Sequence, residues 1–456
     1  MIKVSSKKFQ EALLQKRGFT GYKLIFDGLL TSMVGVFLLW QGAEATRKML
    51  SVFALYLIAF GGYNLVTHYL RRVDNRSASF LESLIRIVMG SILLFVNRRT
   101  DITVTVPIIL VATYQLLMGL IHAITYYLYR KDGILPRGRY LFDAIVLLLL
   151  GLSTLLNLAT NLRLEYIIVG IYLLFYGFSS IRDGLFFESD ASRTNLKRRG
   201  RVSLPIILVA LMPRASLEFL NRHLYDLDYE PQEEFIYREI KDDQKQNLEI
   251  FVHVAEEGFE TMGHVDVCYQ DQVIAYGNYD ALSERLMGSI GDGVLFKVSR
   301  DQYIEFCKAQ GKMTIFEYGL CLSPEQSQAL EQEIAKLDAQ LVPWQPSDQI
   351  IGQGDQAQPM YAYRLQAGTD ARFYKFKSSK FKTYFVLSTN CVLLADTLIG
   401  RAGTDILSPR GIITPGTYQA YLEREYAKPH SLVVSRTIYK EIQKYDDTEQ
   451  KNQLSP

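Results

Sequence analysis

The sequence predicts a multi-domain protein: a six-helix transmembrane bundle of three helical-hairpin repeats, followed by an α+β domain. Three observations carry this expectation. Long apolar runs fill the chain up to about Leu185 and then stop. Within them an acid-and-glycine pattern recurs at nearly constant spacing. Beyond Asn247 short alternating runs of strand type take over, broken by helical stretches.

Residues 1–22 form a polar, basic N-terminal segment expected in the cytoplasm. The apolar run after it is of full spanning length, so no cleavable signal peptide is expected. Six apolar segments follow near residues 24–41, 48–70, 80–97, 103–129, 140–160 and 164–187, within a transmembrane domain at 23–187. Crossing about 30 Å of hydrocarbon takes about 20 helical residues, and most of the six reach that length.

The odd segments place an acid eight residues before a glycine: Asp27 and Gly35, Glu82 and Gly90, Asp143 and Gly151. The even segments place a tyrosine five residues before a glycine: Tyr56 and Gly61, Tyr114 and Gly119, Tyr172 and Gly177. One hairpin has therefore been copied three times. Glycines let helix backbones approach where apolar side chains gain nothing over lipid. The acids could line a proton or ion path. Because each opens its helix at one depth, a structural role, paired with Lys23, Arg86 or loop arginines, is the preferred reading. His68 and His122 lie near helix ends, where an interfacial position is expected rather than a metal site. Three such hairpins resemble the HdeD-like family of small bacterial membrane proteins over residues 20–187. That family is associated with acid resistance and carries over no catalytic residues.

With the N-terminus inside, the inward segments hold 19 Lys and Arg against five on the other side. This bias predicts a multi-pass protein of the cell membrane with both termini cytoplasmic. A net charge of +2 gives no argument for nucleic acid as a partner; the lipid bilayer is the expected one. The four cysteines (Cys268, Cys307, Cys321, Cys391) have no CxxC or paired spacing. That pattern predicts neither a disulfide framework nor a zinc site, and no cofactor.

Residues 188–247 are expected to be a basic linker and connecting region, with the apolar Val202–Met212 run inside it too short to span. The α+β domain is expected at 248–440. Its strands are predicted over Leu248–Val254, His264–Tyr269, Val273–Gly277, Gly293–Val298 and Met313–Leu322. A helix is capped by Ser323 with Pro324 at its first position, and a loop follows over Pro343–Pro359. Strand-like runs fill Met360–Leu387, a helix Tyr418–Tyr426 and a last strand Leu432–Ser435. A polar tail occupies 441–456.

The chemistry centres on Cys391, which follows Ser388-Thr389-Asn390 and opens an apolar helical run closed by Gly400. A cysteine at a helix N-terminus sits among free N–H groups and the positive end of the dipole, which favour a thiolate and an oxyanion alike. His264 is the candidate base. If the hairpin closes around Asp271, cross-strand partners sum to about 542, which sets Asn278 opposite His264 as the group that orients it. Asp266, two residues along the strand, and Asp280 are the alternatives for that role. A lone histidine on a strand and a buried cysteine are more often structural, and Cys268, Cys307 and Cys321 fit that description.

Gly263-His264, a polar residue on the next strand, and Asn390-Cys391 at a helix start resemble permuted NlpC-type papain-like proteins, which include the lecithin retinol acyltransferase-like enzymes. The resemblance covers about residues 248–435. It implies a papain-like fold with Cys391 as nucleophile and His264 as base, acting on an amide, ester or thioester. Such acyltransferases often carry a second histidine at the third position, where this chain offers Asn278 or Tyr276. The expected function is thus a membrane-anchored cysteine hydrolase or acyltransferase. The alternatives are a non-enzymatic HdeD-like stress-response protein with a binding-only second domain, a proton-handling bundle, or a peptidoglycan peptidase if the topology is reversed.

Overall fold

The computed structural model describes residues 21–71, 76–156, 158–185, 234–241, 245–255, 263–309, 313–351, 358–400, 414–428 and 430–441. The linker at 188–201, the Val202–Met212 run and the tail beyond Lys444 lie outside them. Contacts divide the chain into two units. One comprises residues 26–126 and 136–181; the other gathers the segments before and after them together with Tyr127–Leu135.

The first unit is built from six helices: α1 (Gly21–Gln41), α2 (Ala43–Arg71), α3 (Arg76–Arg99), α4 (Ile102–Lys131), α5 (Gly138–Leu156) and α6 (Leu158–Leu185). Five have stretches long and apolar enough to cross a membrane; the exception, α3, carries Glu82, Arg86, Arg98 and Arg99. The repeat glycines explain how the helices meet. A side chain on Gly177 of α6 would run into the Gly28 carbonyl of α1 at 2.6 Å, and one on Gly35 into the Gly170 carbonyl at 2.8 Å. Gly90 of α3 meets the Ala54 carbonyl of α2, and Gly151 of α5 the Ala112 carbonyl of α4, both at 2.8 Å. The close pairs are therefore α2 with α3, α4 with α5, and α6 with α1. Each joins the second helix of one repeat to the first helix of the next, and the last repeat closes on the first.

Two of the repeated acids have partners of the expected kind. Glu82 pairs with Arg86 at 2.5 Å, and Asp143 lies 3.6 Å from both His122 and Arg139. The fully buried acid of the bundle is another residue, Glu165, held by Gln115 at 2.8 Å and Thr154 at 2.7 Å.

The second unit is organised on one antiparallel sheet of nine strands in the order β1-β13-β7-β2-β3-β4-β6-β11-β8. The site uses β2 (Leu248–Ala255), β3 (His264–Tyr269), β4 (Gln272–Gly277) and β6 (Val294–Ser299), which are consecutive in it. Beyond them lie β7 (Met313–Leu320), β8 (Leu341–Pro343), β11 (Arg372–Phe376) and β13 (Val433–Glu441). Strand β1 (Glu234–Ile240) pairs with β13, so the sheet begins inside the stretch read as a connection. Separate two-stranded ladders join β5 (Ile290–Asp292) to β12 (Thr383–Phe385), and β9 (Ile350–Ile351) to β10 (Gln358–Pro359).

Helices α7 (Arg300–Ala309), α8 (Pro324–Asp338), α9 (Tyr361–Gly368), α10 (Cys391–Ile399) and α11 (Pro415–Ala427) complete the unit. Ser323 and Gln326 form a reciprocal capping box at the start of α8. Two apolar clusters flank the sheet, as period-two alternation requires. Val265 and Val267 face the cluster that holds α10, while Phe251 and Cys268 face the one that holds Tyr303 of α7. Sequence reading gave strands to the α9 stretch and a loop to Pro343–Pro359, which contains β9 and β10.

Candidate functional site

The chain enters α10 through a tight polar turn. Ser388 N–H donates to the Phe385 carbonyl and Phe385 N–H to the Thr389 carbonyl, at 2.9 and 3.2 Å. Asn390 is the N-cap: its Oδ1 accepts the Leu393 N–H at 3.0 Å, and its Nδ2 donates back to the Val386 carbonyl at 2.9 Å. Cys391 is the first residue of the helix and only 3% exposed. Cys391 and Val392 hold the positions whose N–H groups have no acceptor within a helix, where a developing oxyanion would be received. Tyr276 supports the approach to the turn, donating its hydroxyl to the Phe381 carbonyl at 3.0 Å.

His264 opens β3 at the end of the sheet, near enough to Cys391 for the two to interact electrostatically. The same ring places Nε2 at 2.9 Å from Asp266 Oδ1 and 3.0 Å from the Tyr279 hydroxyl. His264 and Asp266 are two residues apart on one strand, so their side chains share a face. The other oxygen of Asp266 lies 2.9 Å from His253 Nε2 and accepts the Tyr303 hydroxyl at 2.7 Å. His253 stands beside His264 in the β2–β3 register. The contacts between Asp266 and the two histidines are close ion-pair approaches rather than well-directed hydrogen bonds, since Asp266 Oδ1 and His253 Nε2 have no aligned partner. Among the described residues, only Tyr303 meets the carboxylate along a good hydrogen-bond line.

Electrostatics ties these groups together. Burial alone would lower the His264 imidazole, but the Asp266 carboxylate and Cys391 outweigh it and hold it well above the usual histidine range. Burial likewise opposes the charge on Asp266, yet His264 and His253 hold it below the usual carboxylate range. Burial and the nearby Asp266 push the hydroxyls of Tyr279 and Tyr303 up, so both remain protonated; Tyr303 donates to Asp266, while beside a charged imidazole the Tyr279 hydroxyl accepts from Nε2. The site thus favours an imidazolium braced by a carboxylate beside a buried sulfur, an arrangement suited to acyl transfer through a thiol.

Cys391 and His264 are brought together; Asn278 is not brought to His264. Gln270 and Asp271 both have positive φ, making a two-residue turn, and the β3–β4 ladder pairs Val267 with Ile274 and Tyr269 with Gln272. Its pairs sum to 541, so Asn278 falls one position out of register and instead donates to the Gly288 carbonyl at 3.2 Å. Asp280 is engaged elsewhere, with Lys375 at 2.7 Å. Asp266, the first alternative, is the carboxylate on His264. Three residues of the cluster escaped sequence reasoning: His253, Tyr279 and Tyr303. His253 could have been found by closing the hairpin between β2 and β3, whereas Tyr279 and Tyr303 arrive from outside that hairpin. Cys268 and Cys307 are buried in the other apolar cluster, and burial pushes the Cys268 thiol up. Among the described residues no group of three His, Cys, Asp or Glu side chains is arranged to hold a metal ion.

The helical half and the sheet half together define a multi-pass membrane protein with a C-terminal antiparallel-sheet unit. Residues 26–95 match a family described as a short repeat of unknown function, DUF308, the family of the HdeD-like proteins. No curated protein and no solved structure matches the chain.

Proposed function

We propose that the protein is a membrane-anchored cysteine hydrolase or acyltransferase of permuted papain-like type, with its site on the cytoplasmic side. The observation that carries this reading is the position of His264, within electrostatic reach of Cys391 and braced by the buried Asp266 at 2.9 Å. Cys391 Sγ, its proton passed to His264, attacks the carbonyl carbon of an amide, ester or thioester. The N–H groups of Cys391 and Val392 receive the oxyanion. His264 returns its proton to the leaving amine, alcohol or thiol, and Asp266 stabilises the imidazolium throughout. The acyl group on sulfur then passes to water or to a second acceptor. Asp266 takes the orienting role in this scheme and Asn278 none. The six-span count and the inward-facing termini belong to the same reading, supported by the repeat and by the excess of basic residues on one side.

A second reading has its own observation: with Cys391 3% exposed, the thiol lacks an open approach, as in a binding-only domain on an HdeD-like membrane module. A thiol-directed acyl probe separates the two. Labelling of wild type that vanishes in both Cys391→Ala and His264→Ala supports the enzyme. Labelling of Cys391 no faster than free cysteine refutes it. Comparing intact with permeabilised cells tests the side of the membrane, and labelling without permeabilisation would revive the cell-wall peptidase.

A further inference from the structure

The turn Tyr127–Leu135, which joins α4 to α5 in sequence, belongs to the same unit as the sheet. It is built to hold one side chain still. Gly133 adopts φ +71, and the Ile134 N–H donates to the Tyr129 carbonyl at 2.8 Å, closing α4 in a Schellman-type end. Just before that glycine stands Asp132, an acid at the negative end of a helix dipole, where local helix physics disfavours it. Its partner lies far away in sequence: Asp132 Oδ2 accepts the Thr383 hydroxyl at 2.7 Å.

Thr383 belongs to the support of the nucleophile. Its carbonyl accepts the Thr389 hydroxyl at 2.8 Å, and Thr389, 3% exposed, immediately precedes the cap residue Asn390 and then Cys391. The Thr389 carbonyl is itself held by the Phe385 N–H at 3.2 Å. A carboxylate can only accept, so Asp132 fixes the direction of the Thr383 hydroxyl and anchors the strand β12 that leads into the turn.

We propose that Asp132 is a positioning residue for Cys391, acting through Thr383 and Thr389 to set the turn that aims the thiol at His264. This rests on the reading of Cys391 and His264 as the reacting pair. A nucleophile displaced by about 1 Å can lose about 100-fold in rate, so a hydrogen-bond chain of this kind has leverage out of proportion to its energy.

The test uses the full chain in detergent micelles with iodoacetamide, reading alkylation of each cysteine by peptide mass spectrometry. Asp132→Ala and Thr383→Val should each slow Cys391 by about tenfold, and the double variant should be no slower than either. Asp132→Asn, whose amide oxygen still accepts, should restore most of the rate, with Cys321 unmoved in every variant. An unchanged Cys391 rate in Asp132→Ala, alongside a slowed rate in His264→Ala, would overturn the positioning role and leave the Cys–His reading intact. A normal rate in His264→Ala would overturn both. Equal slowing by Asp132→Asn and Asp132→Ala, or parallel changes at Cys321, would also overturn it.

Discussion

Asp266 Oδ1 lies 2.9 Å from His264 Nε2, and the two residues are next-but-one neighbours on a single strand. A strand has a period of two, so the brace on the imidazole is set by three consecutive residues, with no dependence on how β3 pairs. The carboxylate is fully buried and the imidazole 22% exposed, so solvent screens the carboxylate's hold on the ring only weakly.

Asp266→Asn should therefore lower the rate of acyl-probe labelling at Cys391 by about ten- to a hundredfold, the scale of a lost orienting partner in a general-base site. Asn278→Ala should leave that rate at the wild-type value, losing only the bond to Gly288, about 1 kcal/mol of stability. Site-resolved labelling of the two variants side by side distinguishes the roles: equal losses would restore Asn278 to the site.

Tyr303 and His253 hold the far oxygen of Asp266. Tyr303→Phe removes a well-directed hydrogen bond to a buried charge and should cost about 1.5–3 kcal/mol, read by thermal or denaturant unfolding of the full chain. Labelling of Cys391 should fall less than in Asp266→Asn, since His253 still faces the carboxylate at 2.9 Å.

How far the sequence speaks for itself depends on the range of the interaction. Cys391 at a helix start, His264 opening a strand and the Ser323 cap are local patterns, and each is found where local physics puts it. Asn278 was misassigned by a single residue of register, because a turn of two residues and one of three look alike in Gln270-Asp271-Gln272. Helix α9 lay in a stretch rich in aromatic residues, whose strand preference yields to packing of Ala362 and Leu365 in the second cluster. Glu165 stands outside the three-fold pattern and so gave no repeat signal. Tyr279 and Tyr303 reach the site through tertiary contacts that no spacing encodes.

The glycine contacts of the helical unit make a sharper prediction than the repeat alone. Gly177→Ala would press a methyl group into the Gly28 carbonyl at 2.6 Å, and overpacking of that kind costs about 1–3 kcal/mol. Gly62→Ala, one position past the repeat glycine Gly61, meets nothing within 4 Å and should be neutral or slightly stabilising. Melting of the two variants in nanodiscs should separate them, and equal stability would refute the closed α6–α1 contact.

Stability against pH follows from opposite shifts in the site. Asp266 is held below its unfolded value, so its contribution is complete above about pH 4 and fades as pH falls through the lower folded value. His264 is held above its unfolded value, so its contribution is complete below about pH 6.5 and fades as pH rises through the higher folded value. Melting wild type against His264→Gln from acid to alkaline pH should show a gap that is constant up to about pH 6.5, then narrows and closes only well above the ordinary histidine range. The gap to Asp266→Asn, which removes the cause of both shifts, should narrow on the acid side below about pH 4 as well as on the alkaline side. Should the His264→Gln gap show no change from about pH 6 upward, the imidazole titrates as it would in the unfolded chain, and the carboxylate is not bracing a charged ring.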